Sequence, residues 1–190
     1  MSNFPAFLDQ PVPEVAEKLL GCELVRTLDG EEIRVRIVET EAYDQDDAAS
    51  HSCRGETPRT KVMFGRSGHL YVYFTYGMHY CCNIVSGPVG RGAAVLIRGV
   101  EPVTNGALLQ IRRPKVAGVN VTNGPAKLCQ ALDIDTHLSG HDLRQGELRL
   151  ETGIPRPGET VVQTTRVGIS VAQDIPWRFY IGGYPYVSRP

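Results

Sequence analysis

The chain has 190 residues, 42% of them apolar and 22% charged. That balance excludes a disordered polymer and suits a single domain, residues 1–190, able to bury a core. No run of ~18 apolar residues occurs, which excludes a transmembrane helix, and the first ten residues lack the basic and then apolar pattern of a secretory signal, so the expected compartment is the cytoplasm.

Taken in chain order, residues 13–20 read as a short helix. Pro13 suits its first turn, Val15, Ala16, Leu19 and Leu20 form an apolar stripe, and Gly21 ends it. Residues 22–27 and 31–43 read as strands joined at Asp29-Gly30, a two-residue hairpin turn. In the second strand Ile33, Val35 and Ile37 alternate with Glu32, Arg34 and Arg36. Residues 69–75 form another strand, with Leu70, Val72 and Phe74 on one face and Tyr71 and Tyr73 on the other, followed by a turn at Tyr76-Gly77. Residues 80–86 and 93–100 are apolar enough for central strands. Residues 102–112 are a helix candidate interrupted by Gly106. Residues 126–132 form a helix with Asn123 as its cap and Pro125 near its start. Residues 161–172 and 177–182 read as the last strands. Strands outnumber helices and the connections are short, so the expected fold is α+β: a curved, mostly antiparallel sheet with flanking short helices.

The charges are unevenly placed. Net charge is −1, which alone argues weakly against nucleic acid as a partner. Yet residues 39–47 carry Glu39, Glu41, Asp44, Asp46 and Asp47 with no base. Residues 51–100 carry Arg54, Arg59, Lys61, Arg66, Arg91 and Arg98 against Glu56 alone. Arg outnumbers Lys sixteen to four, and guanidinium forks match phosphate oxygens bidentately.

Chemistry concentrates in three places. By parity Glu39, Glu41 and Tyr43 continue the buried side of Ile37 unless a bulge intervenes. A desolvated carboxylate there is a candidate general acid or base, although the pattern does not choose between Glu39 and Glu41. Arg98 lies within an apolar run and needs a partner, for which Glu41 is a candidate. Six of the 14 aromatics, Phe64, Tyr71, Tyr73, Phe74, Tyr76 and Tyr80, fall within 17 residues. Such rings can stack on bases, and a turn tyrosine such as Tyr76 can project as a wedge. No metal site is expected: His137 and His141 flank Ser139-Gly140, and His51 with Cys53 or His79 with Cys81 lacks further ligands. No phosphate-binding glycine motif is present, so no cofactor is expected. The five cysteines are odd in number and show no C-x-x-C, so they read as idle thiols.

Several ordered motifs together resemble the alkyladenine (3-methyladenine) DNA glycosylase family across nearly the whole chain. They are Val15-Ala16-Glu17-Lys18-Leu19-Leu20-Gly21-Cys22, Arg36-Ile37-Val38-Glu39-Thr40-Glu41-Ala42-Tyr43, and the run from Thr57-Pro58-Arg59 to Tyr76-Gly77-Met78. They continue with 123–132, Arg166-Val167-Gly168 and Trp177-Arg178-Phe179-Tyr180. The resemblance implies that Glu41 is the general base and that Arg98 helps hold the attacking water. It implies that Tyr43, His51 and Tyr73 wall a pocket for an extruded base, that Tyr76 fills the gap in the duplex, and that Asn83 disfavours the 2-amino group of guanine. It implies a monomeric enzyme acting on double-stranded DNA that contains damaged purines, with no membrane partner. The segments 50–56 and 113–122 differ in length from those of relatives, which bears on His51 and on some phosphate contacts. No lysine stands in the motifs around Glu41, so the expected nucleophile is water and no strand-cleaving lyase step is expected. The rival readings are a non-catalytic binder of single-stranded nucleic acid and a metal-dependent hydrolase using Glu39, Glu41 and the aspartates.

Overall fold

The computed structural model describes residues 3–188. Among them, three α-helices, α1 (Val12–Lys18), α2 (Gly106–Arg112) and α3 (Pro125–Ala131), accompany eight strands. The strands are β1 (Glu23–Leu28), β2 (Glu31–Tyr43), β3 (Leu70–Thr75), β4 (His79–Val85), β5 (Ala94–Thr104), β6 (Leu148–Glu151), β7 (Val161–Thr164) and β8 (Arg178–Ile181). They form one sheet in the order β3-β4-β5-β2-β1-β6, with β8 also on β2 and β7 on β8, and every pair is antiparallel. The α+β expectation holds.

Strand β2 is the spine. One edge pairs along its length with β5, and the other pairs first with β1 and then, beyond Val38, with β8. The β1–β2 hairpin turns on Asp29 and Gly30, both left-handed (φ 52° and 82°), as a two-residue turn matched to strand twist requires. At the end of α1, Gly21 passes so close to the backbone of Ile154 that a Cβ there would lie 2.2 Å from its carbonyl carbon, so only glycine fits.

The parity expectation for β2 is corrected. Pairing with β5 runs Ile37↔Val100, Glu39↔Gly99 and Thr40↔Ile97, so Val38 is an extra residue on β2 and Arg98 an extra residue on β5. This double bulge reverses the alternation. Ile33, Val35 and Ile37 belong to the apolar core, but so do Val38 and Ala42, and the Thr40 hydroxyl bonds the Ala16 carbonyl of α1 at 2.8 Å. Glu39, Glu41 and Tyr43 therefore face the other side of the sheet, away from the core under α1 and α3.

Other boundaries moved for local reasons. Strand β5 runs on through residues 102–104, where a helix is predicted. Pro102 lies opposite Val35 beside a further register shift, a position where its missing N–H breaks no regular ladder. Helix α2 starts only at Gly106. Helix α3 is capped at Gly124 rather than Asn123, whose side chain instead accepts a hydrogen bond from Lys127 Nζ at 2.7 Å. The strand predicted over 161–172 stops at Thr164. Strand β6 is not predicted, although Leu148 and Leu150 are buried and alternate with Arg149 and Glu151. No helix among the described residues is long and apolar enough to cross a membrane.

Candidate active site

The face of the sheet turned from the core carries Tyr71 and Tyr73 (β3), Cys81 and Asn83 (β4), Leu96 and Arg98 (β5) and Tyr43 (β2). These line a cavity of about 720 Å³, within the usual range for ligand pockets. Residues 48–51, 123–125 and 167–171 add to its wall, as do Met63, Thr75, Tyr76, Lys127 and Ser188.

Glu41 is 0% exposed and sits one layer behind that wall. Its Oε2 accepts hydrogen bonds from Tyr43 Oη at 2.8 Å and Arg98 Nη1 at 3.2 Å. Its Oε1 accepts one, from the Val167 amide at 2.7 Å. All three donor residues line the cavity. Burial pushes the Glu41 pKa above the usual carboxylate value, and Arg98, the Val167 amide and Tyr43 offset only part of that rise. Burial opposes the charge of Arg98, but Glu41 and Glu39 more than compensate and its pKa goes up.

Glu39 is equally buried but differently held. Its Oε1 accepts from Arg98 Nε (3.0 Å), Arg178 Nε (2.8 Å) and Ser188 Oγ (2.9 Å), and its Oε2 from the Ser188 amide (2.6 Å). It thus receives four hydrogen bonds, three of them crowded on Oε1, against three for Glu41. Packing is tight there: a Cβ on Gly99 would lie 2.5 Å from the Tyr186 carbonyl oxygen. Arg98 thus bridges both carboxylates, not Glu41 alone.

The aromatic residues converge as well. The His51 ring meets Tyr73 edge-on at 4.5 Å, and its Nδ1 lies 3.1 Å from Tyr71 Oη. Partial burial, with Arg59 nearby, lowers the His51 pKa and favours the neutral ring. The Arg59 guanidinium stands 5.5 Å from the Tyr73 ring centroid. Asn83 lines the cavity and donates to the Tyr71 carbonyl at 3.0 Å. Tyr76 is 83% exposed at the tip of the β3–β4 hairpin, in a left-handed conformation (φ 51°) that aims it outward. Phe74 and Met78 beside it are exposed too.

All seven candidate residues thus gather around one cavity. Several neighbours escaped the sequence reading. Lys127, read as part of a helix motif, is on the cavity wall, where burial lowers its pKa. Arg178 and Ser188 hold Glu39; the argument made for Arg98, that an arginine in an apolar run needs a partner, would also have found Arg178. Asp47 and Arg166 form a buried pair behind the wall. Among the described residues, no three His, Cys, Asp or Glu side chains converge as metal ligands do.

The family model described as methylpurine-DNA glycosylase (MPG) matches residues 6–185. Three similar proteins are each named "Putative 3-methyladenine DNA glycosylase". One from Carboxydothermus hydrogenoformans is 49% identical over 96% of each chain. One from Methanoculleus marisnigri is 48% identical over 97% of each, and one from Francisella tularensis subsp. tularensis 42% identical over the full length of both. With a family match across most of its length and relatives this similar end to end, the chain belongs to the methylpurine-DNA glycosylase family, hydrolases that act on N-glycosyl bonds in DNA.

Proposed function

We propose that the protein extrudes alkylated or otherwise damaged purine nucleotides from duplex DNA into this cavity and hydrolyses the N-glycosidic bond with a water activated by Glu41, starting base excision repair. The observation that carries the reading is a fully buried carboxylate bonded to three cavity-lining residues, with one oxygen holding a single hydrogen bond and so able to accept another, from water. In the reaction the water oxygen bonds to C1′, the bond from C1′ to the base breaks with its electrons going to the base, and the water proton passes to Glu41. A cationic alkylated purine leaves neutral and needs no strong acid. General-base assistance of this kind contributes ~10²–10⁴-fold.

Arg98 holds Glu41 ionised and oriented. Tyr43, His51 and Tyr73 wall the extruded base, and their π faces favour a cationic ring by ~0.5–2 kcal/mol. Asn83 opposes the 2-amino group of guanine. Tyr76 fills the gap left in the duplex, for which its outward projection suits it. The Lys127 ammonium is engaged in donating to Asn123 Oδ1 at 2.7 Å and is not the group that attacks C1′. The protein acts as a monomer, in the compartment of chromosomal DNA.

The test is to incubate duplexes carrying 3-methyladenine, 7-methylguanine, hypoxanthine or uracil with the protein in EDTA and count freed bases. Release of the alkylated purines is expected. No release, or release abolished by EDTA, overturns the reading. A protein–DNA adduct trapped by borohydride would contradict the water nucleophile.

A further inference from the structure

We propose that Arg166, locked by Asp47, is a positioning residue for the Glu41 carboxylate: it fixes the backbone from which the Val167 amide reaches Glu41 and braces the Tyr43 ring that donates to the same carboxylate. The inference rests on the reading of Glu41 as the base.

The pair lies just beyond the sheet. The last paired residue of β7 is Thr164, opposite Arg178. Two residues later both side chains of the Arg166–Asp47 pair are 0% exposed. Arg166 donates to Asp47 through both terminal nitrogens, Nη2 reaching Oδ1 at 3.0 Å. Nη1 also donates to the Ala42 carbonyl at 3.0 Å, and Nη2 to the Ala172 carbonyl at 3.3 Å. The guanidinium carbon stands 4.8 Å from the Tyr43 ring centroid and 5.5 Å from that of Trp177. Asp47 Oδ1 also accepts from the Ala49 amide at 3.0 Å, which starts the loop that carries His51. One ion pair therefore ties the end of β2 to two of the segments that wall the cavity, 48–51 and 167–171.

Apolar side chains of similar volume would stabilise such a spot at least as well, because two buried charges cost several kcal/mol to desolvate. What the fork adds is direction. A displacement of ~1 Å at residue 166 carries the Val167 amide with it, and misplacement on that scale costs up to ~10² in rate. The groups facing Glu41 are Glu39 and Tyr43 on β2, Cys81 on β4, Arg98 on β5, the Arg178 position on β8 and the Val167 amide. Of these Arg166 bears on two, the Tyr43 ring beneath its guanidinium and the adjoining Val167 amide. Both hold the carboxylate ionised, so loosening them moves the Glu41 pKa further up.

The test uses Arg166→Lys, which keeps the charge and loses the fork, and Asp47→Asn. Single-turnover release of 7-methylguanine is followed across pH, with lesion-duplex affinity and thermal melting measured beside it. Release is expected to slow about 10- to 100-fold, its acid limb to move to higher pH, and affinity to change little. Unchanged rate and limb in a folded variant overturn the proposal. If Glu41→Gln releases base at the full rate, the reading of Glu41 fails instead. Should both side-chain variants unfold, Val167 incorporated as its α-hydroxy acid by nonsense suppression removes only the N–H. An upward-shifted limb then supports the proposal, and an unmoved one overturns it.

Discussion

Glu39 and Glu41 stand two residues apart on one strand, both sealed from solvent, and their surroundings differ in kind. The region around Glu39 is a structural clamp in which Arg98, Arg178 and Ser188 supply four hydrogen bonds from three segments of chain. The region around Glu41 is a working surface, where three donors, one fewer than at Glu39, all come from residues that line the cavity, whereas Arg178 at Glu39 is not among the lining residues. Burial alone does not mark a reactive carboxylate; incomplete satisfaction beside an accessible space does.

Breaking the comparison at the clamp has the largest expected effect. Glu39→Gln leaves Arg98 and Arg178 buried beside a neutral amide, and is expected to lower stability by roughly 3–5 kcal/mol, read from urea unfolding. A loss under ~1 kcal/mol would mean that the clamp is dispensable. Glu41→Gln should instead leave lesion binding intact and slow single-turnover base release by about 100-fold or more, which is ~2.7 kcal/mol on the barrier. If both variants lose stability and activity in the same proportion, the distinction between the two carboxylates collapses.

Away from both carboxylates, Tyr76→Ala is expected to weaken capture of a lesion-bearing duplex by about tenfold while the stability stays within ~0.5 kcal/mol, as for any exposed side chain. A matching loss of stability would make Tyr76 a packing residue. The finest test is the pH profile. Glu41 must be ionised to accept the proton of water, and burial raises its pKa. Release of 7-methylguanine should therefore fall as pH drops, starting above the pH at which an ordinary glutamate would titrate. A limb at or below the ordinary value would place the titrating base elsewhere. The same raised pKa works against folding as pH rises: the protonated form is favoured in the native state, and that contribution fades as pH climbs through the folded value.

Much of the fold was legible because it rests on local rules. Alternation over 31–37 and 70–75, the Asp29-Gly30 turn and the proline start of α3 are all short-range patterns. The elements that failed are those decided by distant partners. Residues 165–172 leave the sheet because Arg166 is captured by Asp47, more than a hundred residues earlier. Strand β6 owes its place to an edge of β1.

The site divides the same way. By itself the sequence determined the family, the outward tyrosine at a tight turn and an arginine that had to find a carboxylate. It could not determine which carboxylate was left free to act. The extra residue Val38, slipped into the ladder where β2 passes from β1 to β8, turned Glu39, Glu41 and Tyr43 together away from the core, and the choice between the carboxylates then depended on the donors each one met. A bulge is a property of paired strands, and the donors that hold Glu39 arrive from β5, β8 and the C-terminal segment, so only the assembled sheet could separate the two.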